Sequence, residues 1–160
     1  MNRKHLFLTG EKHIGKSTLL RALLAQKCGT PGGFLTVRTL VNDAQYGVYL
    51  LRPGEVPNDN NFLFLCGHTA DPQRFNELGC AALRVPADYI LMDELGPNEA
   101  LASDFQAAVL TALDGPVPIY GVLQKADSPF LQAIAAHPDV LVIEVTLENR
   151  DALRQTLKID

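Results

Sequence analysis

Gly10, Gly15, Lys16 and Ser17 occupy the fixed places of the pattern G-x-x-x-x-G-K-[ST] in the stretch Gly10-Glu11-Lys12-His13-Ile14-Gly15-Lys16-Ser17-Thr18. These residue types at this spacing point to the binding of a polyphosphate. Successive backbone N–H groups of such a loop curl into an anion nest, and the helix that follows aims its positive end at the same place. Gly10 permits a sharp exit from the preceding strand, and Gly15 lets backbone approach the phosphates where a side chain would collide. Lys16 is expected to reach the β- and γ-phosphates as a flexible point charge. The Ser17 hydroxyl is expected to face a Mg²⁺ ion. Residues Gly10 to Thr18, including Glu11, Lys12, His13 and Ile14, thus form the expected nucleotide-binding stretch. His13 lies where backbone does the binding, so its imidazole is expected to face solvent.

A second cluster supplies what a phosphate cradle lacks. Asp93-Glu94 directly follows the apolar run Tyr89-Ile90-Leu91-Met92. In open α/β sheets, ligands sit beyond the carboxyl ends of the strands. An Asp there supports the metal shell, and the next residue faces the terminal phosphate. Glu94 is then expected to polarise the attacking water as general base. Gly96-Pro97 turns the chain, and Glu99 follows with two equal readings, favourable charge at a helix N-terminus or a site role.

The elements that must position these groups alternate. His5–Thr9 reads as a strand buried on both faces, Lys16 to about Gln26 as a helix, and Thr30-Pro31-Gly32-Gly33 as a stop and turn. Phe34–Val41 and Tyr46–Leu51 flank Asn42-Asp43 and read as a hairpin. Arg52–Asn61 reads as an exposed, mobile loop, and Phe62–Cys66 as another buried strand. Asp71–Leu83 reads as a helix with Phe75, Leu78 and Ala82 inward. Leu101, Phe105, Val109 and Leu113 predict a helix stopping at Asp114-Gly115-Pro116. Pro118–Leu123, Phe130–Ala136 and Val140–Val145 read as strand, helix and strand, with Thr146 capping a last helix to about Leu157. This order predicts a three-layer α/β/α fold, its sheet mostly parallel, with a β-hairpin inserted after the first helix. By analogy with phosphate-loop proteins that use a Glu directly after the Asp, a further strand is expected between the loop strand and the Asp-Glu strand.

The 160 residues predict a single domain over 1–160, long enough to bury a real core. A net charge of −4, with basic residues scattered, argues against a large nucleic-acid footprint. Cys28, Cys66 and Cys80 lack C-x-x-C spacing and suggest a reduced compartment, without a disulfide framework or zinc site. His68 and His137 show no ligand spacing either. No signal peptide is evident and no apolar run approaches the roughly 18 residues of a membrane span, so a cytoplasmic protein without membrane partners is expected. Two positional candidates remain. Lys125 follows a strand's carboxyl end, where it can face the nucleotide, and Asn149-Arg150 after the last strand can border the base; Asn149 can equally cap a helix.

The chain resembles the small nucleoside-triphosphatases that include the human cancer-related enzyme and archaeal and bacterial relatives. The resemblance rests on Gly10–Ser17, Gly32-Gly33-Phe34-Leu35-Thr36, Asp93-Glu94-Leu95-Gly96-Pro97-Asn98-Glu99 against D-E-I-G-P-M-E, Pro129-Phe130-Leu131, and Val145-Thr146-Leu147-Glu148-Asn149-Arg150 against V-T-x-E-N-R. It implies slow, Mg²⁺-dependent hydrolysis of NTPs to NDP and phosphate with broad base tolerance, Ser17 and Asp93 serving the metal and Glu94 the water. Relatives carry an arginine two residues beyond Arg38. A strand returns to the same face after two residues, so Arg38 is the candidate for that catalytic role beside Glu94 and Lys16. Two other outputs remain open, a nucleotide-gated regulatory module moving at 42–61 and a small-molecule kinase. The sequence names no protein partner.

Overall fold

A computed structural model describes residues 3–97 and 102–159. The chain runs β1 (His5–Thr9), α1 (Lys16–Leu24), β2 (Pro31–Leu40), β3 (Tyr46–Leu51), β4 (Phe62–Leu65), α2 (Pro72–Arg84), β5 (Tyr89–Leu95), α3 (Ser103–Asp114), β6 (Ile119–Leu123), α4 (Pro129–Ala135), β7 (Val140–Glu144) and α5 (Arg150–Thr156). The strands form one sheet in the order β4-β3-β2-β5-β6-β1-β7. From β2 to β7 every pairing is parallel, and β3 and β4 add antiparallel strands at one edge. The expected extra strand is β6, which lies between β1 and β5.

Apolar residues without alternation commit a strand to burial on both faces, and β1 shows the result. Phe7 joins a core with Phe34, Met92 and Phe105, while Leu6 and Leu8 join one with Leu19, Leu20 and Val122 on the opposite face. Residues of α2, α3 and α4 pack into the first core, and residues of α1 and α5 into the second. Three layers result, with the sheet in the middle. α2 opens on Asp71, whose carboxylate accepts from the Gln73 N–H at 2.9 Å, an N-cap of the usual kind.

Four local expectations are revised. The expected turn at 30–33 is the start of β2, with Pro31, Gly32 and Gly33 opposite Tyr89, Ile90 and Leu91. Gly33 has φ 81°, and a Cβ there would collide with the Leu91 carbonyl oxygen; glycine is what lets the two strands close up. Proline is tolerated because it is the first residue of the strand. β4 is an edge strand, and Leu63 is buried while Phe62 and Phe64 are only half-buried. The last helix starts at Arg150, because Thr146 and Asn149 bond each other instead: Asn149 N–H donates to Thr146 Oγ1 at 3.1 Å and Thr146 N–H to Asn149 Oδ1 at 2.7 Å. The loop at 52–60 is mostly exposed as expected, but Asn61 at its end is buried and side chains satisfy the loop's backbone: Asn61 Oδ1 accepts from Asn58 N–H and Asn58 Oδ1 from Asn60 N–H, both at 2.8 Å. Leu101 and Glu99 lie outside the described residues.

Candidate active site

Where β1 meets α1 the backbone takes the shape the glycine pattern demands. His13 has φ 61° and Gly15, the residue capping α1, has φ 99°. Gly10 passes so close to the residue after β7 that a Cβ on it would sit 2.5 Å from the Val145 carbonyl oxygen. Lys16 is 8% exposed, its Nζ donating to the carbonyls of Gly10 at 2.7 Å and Glu11 at 2.8 Å. An ammonium has three donors, so one remains for an anion held in the loop. Arg150 braces the outer side of the loop, Nη1 donating to the Ile14 carbonyl at 3.2 Å.

The loop forms one wall of a cleft of about 810 Å³. Thr36 and Arg38 of β2, Glu94 of β5 and Gln124 and Lys125 after β6 line it too, with an apolar part from Val37, Val48, Phe64 and Phe75. Ser17 Oγ donates to Asp93 Oδ1 at 2.7 Å, joining the first turn of α1 to the end of β5. Asp93 is 7% exposed, and burial pushes its carboxyl above the usual range against the pull of the Ser17 bond; neighbouring Glu94 adds to the rise, while Arg21 and Lys16 oppose it. Next to it the strand departs from regular pairing. The Asp93–Glu94 peptide is cis, and the register against β6 slips, Asp93 facing Val122 and Leu95 facing Leu123. The register slip leaves Glu94 without a partner in that pairing, and its side chain lines the cleft. Its carboxylate Oε1 accepts from Gln124 Nε2 at 2.8 Å, and its backbone N–H points to Thr36 Oγ1 at 3.4 Å.

The structure therefore brings Gly10–Thr18, Arg38, Glu94 and Lys125 to one cleft, with Asp93 behind Ser17. Arg38 shares a strand face with Thr36, and its guanidinium lies 4.6 Å from the centre of the Tyr46 ring. Lys125 is exposed and bridges Glu11 at 3.2 Å and Glu144 at 2.8 Å; both carboxylates hold its ammonium above its ordinary pKa. Asn149 does not line the cleft: its amide donates to the Glu144 carbonyl at 2.8 Å and its oxygen serves the turn at Thr146. Gln124 was not foreseen as a partner of Glu94, since the sequence offers it only within Gln124-Lys125-Ala126-Asp127, the segment nearest in kind to a base reader and short of one. Among the described residues no three His, Cys, Asp or Glu side chains cluster as a metal cage, and all three cysteines are free thiols. No helix among them is long and apolar enough to cross a membrane.

Comparison with known proteins places the chain among relatives. A family model described as NTPase matches residues 67–158, more than half of the chain. The nucleoside-triphosphatase THEP1 of Thermofilum pendens is 30% identical, with 96% of this chain and 92% of the relative aligned. That of Thermotoga petrophila is 27% identical over 92% of this chain and 87% of its own. The crystal structure of THEP1 from Aquifex aeolicus shares the fold, with a TM-score of 0.73 at 22% identity and coverage of 94% and 95% of the two chains. With the family match over more than half of the chain and a 30% identical relative aligned along nearly its whole length, the chain belongs to the NTPase family.

Proposed function

We propose that this NTPase acts as a single catalytic domain that hydrolyses the β–γ phosphoanhydride bond of nucleoside triphosphates with Mg²⁺, at the cleft between the Gly10–Ser17 loop and Glu94. The observation that carries this reading is the meeting of Ser17 and Asp93 at 2.7 Å, with Glu94 beside them facing the cleft. Their oxygens are the hard donors Mg²⁺ prefers, and Mg²⁺ is commonly held by one or two protein oxygens together with waters and substrate phosphates. Ser17 and Asp93 are the residues that would hold it, and when bound it would neutralise charge on the β- and γ-phosphates.

The rest follows from this chain's own groups. The loop N–H groups and Lys16 bind and orient the triphosphate. Glu94 orients a water against the γ-phosphorus and takes its proton as the P–O bond to the leaving NDP breaks. Arg38 adds positive charge at the same wall of the cleft, where charge spreads over the transferring group. Base selection is weak on this reading. The segment nearest in kind to a base reader is Gln124–Asp127, and its polar side chains are engaged elsewhere. Gln124 is on Glu94, Lys125 lies between two carboxylates, and Asp127 accepts from Gln132 at 2.7 Å.

Phosphate release from ATP, GTP, CTP and UTP, without any added acceptor and with Mg²⁺ supplied or chelated, tests the proposal. Release that needs Mg²⁺ and varies among bases by less than roughly a hundredfold, about 2.7 kcal/mol, supports it. Phosphate release that ignores Mg²⁺, or NDP formation that occurs only when an alcohol acceptor is present and then without free phosphate, overturns it.

A further inference from the structure

Glu94 has three side-chain torsions, and a carboxylate free to swing cannot hold a water in line with the γ-phosphorus. One side chain fixes it. Gln124 begins where β6 ends, and its backbone N–H donates to the Leu95 carbonyl at 2.8 Å, tying it to β5. Its amide then reaches Glu94 Oε1, at 2.8 Å from Nε2. A carboxylate only accepts, so the amide must present its nitrogen. The amide rests against Gly96 on another side: a Cβ added there would stand 2.5 Å from Nε2, 2.6 Å from Cδ and 2.9 Å from Oε1. Gly96 is not among the glycines with positive φ, so no backbone requirement for glycine follows from its φ.

Resting on the reading of Glu94 as the residue that takes the water's proton, we propose that Gln124 is a positioning residue for Glu94, and that Gly96 serves as the seat for the Gln124 amide. The bond to Nε2 commits Oε1 and leaves Oε2 to accept from the water. In the step itself the water oxygen bonds to the γ-phosphorus, the bridging oxygen leaves with its electron pair on the NDP, and the water's proton passes to Glu94 Oε2. Gln124 neither gives nor takes a proton. It removes the rotational freedom that would let the carboxylate turn away, and a misplacement of about 1 Å at such a group costs on the order of a hundredfold in rate.

Two variants of the full chain probe the device from opposite sides. Gln124→Met keeps the length of the side chain and its seat on Gly96 but lacks the donor. Gly96→Ala keeps the donor but displaces it; the methyl meets the movable end of a side chain, so the fold is expected to persist. Each is expected to lower kcat by about 10- to 100-fold with KM within about threefold and thermal unfolding close to the parent. Combined with Glu94→Gln, each is expected to add less than about a twofold loss, because the group it positions is already disabled. A merely structural role would not produce that coupling. Gln124→Met at parental kcat, or full losses that multiply in the double variants, overturns the proposal while leaving Glu94 as the base. Glu94→Gln at parental kcat removes the base, and the proposal falls with it.

Discussion

His5 and Asp93 are both buried polar side chains on strands of one sheet, His5 1% and Asp93 7% exposed, and they stand at opposite ends of their strands. At the start of β1, His5 is fully served. Ile119 N–H, which can only donate, gives a hydrogen bond to Nδ1 at 3.0 Å, so the proton sits on Nε2 and goes to the Leu113 carbonyl at 2.8 Å. Burial, with Lys4 nearby, holds its pKa below the ordinary 6.5 against the pull of the Leu113 bond, and the ring stays neutral. Near the end of β5, Asp93 has the Ser17 hydroxyl on one oxygen, and burial pushes its carboxyl up. A buried group whose bonds are complete ties elements together. A buried charge short of compensation is a cost that a bound cation can offset. The same sheet thus carries an architectural end and a chemical end.

The largest expected effect lies at the chemical end. Glu94→Gln keeps size and reach but loses the charge that draws the proton from water, so kcat is expected to fall by about 10²- to 10⁴-fold. Nucleotide affinity, carried by Gly10–Ser17, should stay within a few-fold. Steady-state hydrolysis beside fluorescent-nucleotide titration measures both, and a near-parental rate would move the search for a base to Glu99.

His5→Ala is the counterpart at the architectural end. It strands the Ile119 N–H and the Leu113 carbonyl, at a cost of about 1–3 kcal/mol for each buried group left unpaired. Denaturant unfolding is expected to show that loss, while kcat of the folded fraction is unchanged. Acid adds a second handle. The folded pKa lies below the unfolded 6.5, so the unfolded chain takes up the proton first. The contribution of neutral His5 is complete above pH 6.5 and is lost as pH falls below it toward the folded value. The variant should lack that component of the pH dependence. A changed kcat for folded His5→Ala would break the division between the two ends.

Lys16→Ala removes one charge-assisted contact to the phosphates, worth about 1.5–3 kcal/mol. Micromolar nucleotide binding should disappear in a titration; unchanged affinity would dissolve the loop assignment. The smallest effect sharpens the contrast most. In Asp93 the folded form holds its proton more readily than the unfolded chain does, so the charged carboxylate weakens the fold at neutral pH, and that penalty is relieved as pH falls through the folded pKa. Asp93→Asn keeps an oxygen for the Ser17 hydroxyl and is expected to raise stability in chelator by about 0.5–2 kcal/mol. It should at the same time weaken the Mg²⁺ dependence of binding and turnover. Thermal unfolding with and without Mg²⁺ and nucleotide measures both, and a less stable variant in chelator would show that Asp93 is architectural like His5.

What the sequence determined by itself is what lies within a few residues of chain. The loop is legible because backbone of consecutive residues makes it and the pattern Gly10, Gly15, Lys16, Ser17 is local, although Val145, Asp93 and Arg150 pack against it from afar. Asp93-Glu94 is legible because an unbroken apolar strand must end somewhere, and in an α/β sheet that end faces the ligand. The alternation of strand and helix also carried the three layers, with analogy to related sheets adding the strand inserted beside β1. Only the tertiary structure decided the rest. Pro31-Gly32-Gly33 has the composition of a turn and becomes strand because β5 lies alongside close enough to require a residue without a side chain. Asn149 looks like a base-side residue and is consumed by its own turn. Gln124 meets Glu94 across thirty residues only because β6 sits beside β5 and their register slips by one at Glu94. Contacts of that kind depend on strand order and register, set by the packing of the whole chain and written in no single stretch of it.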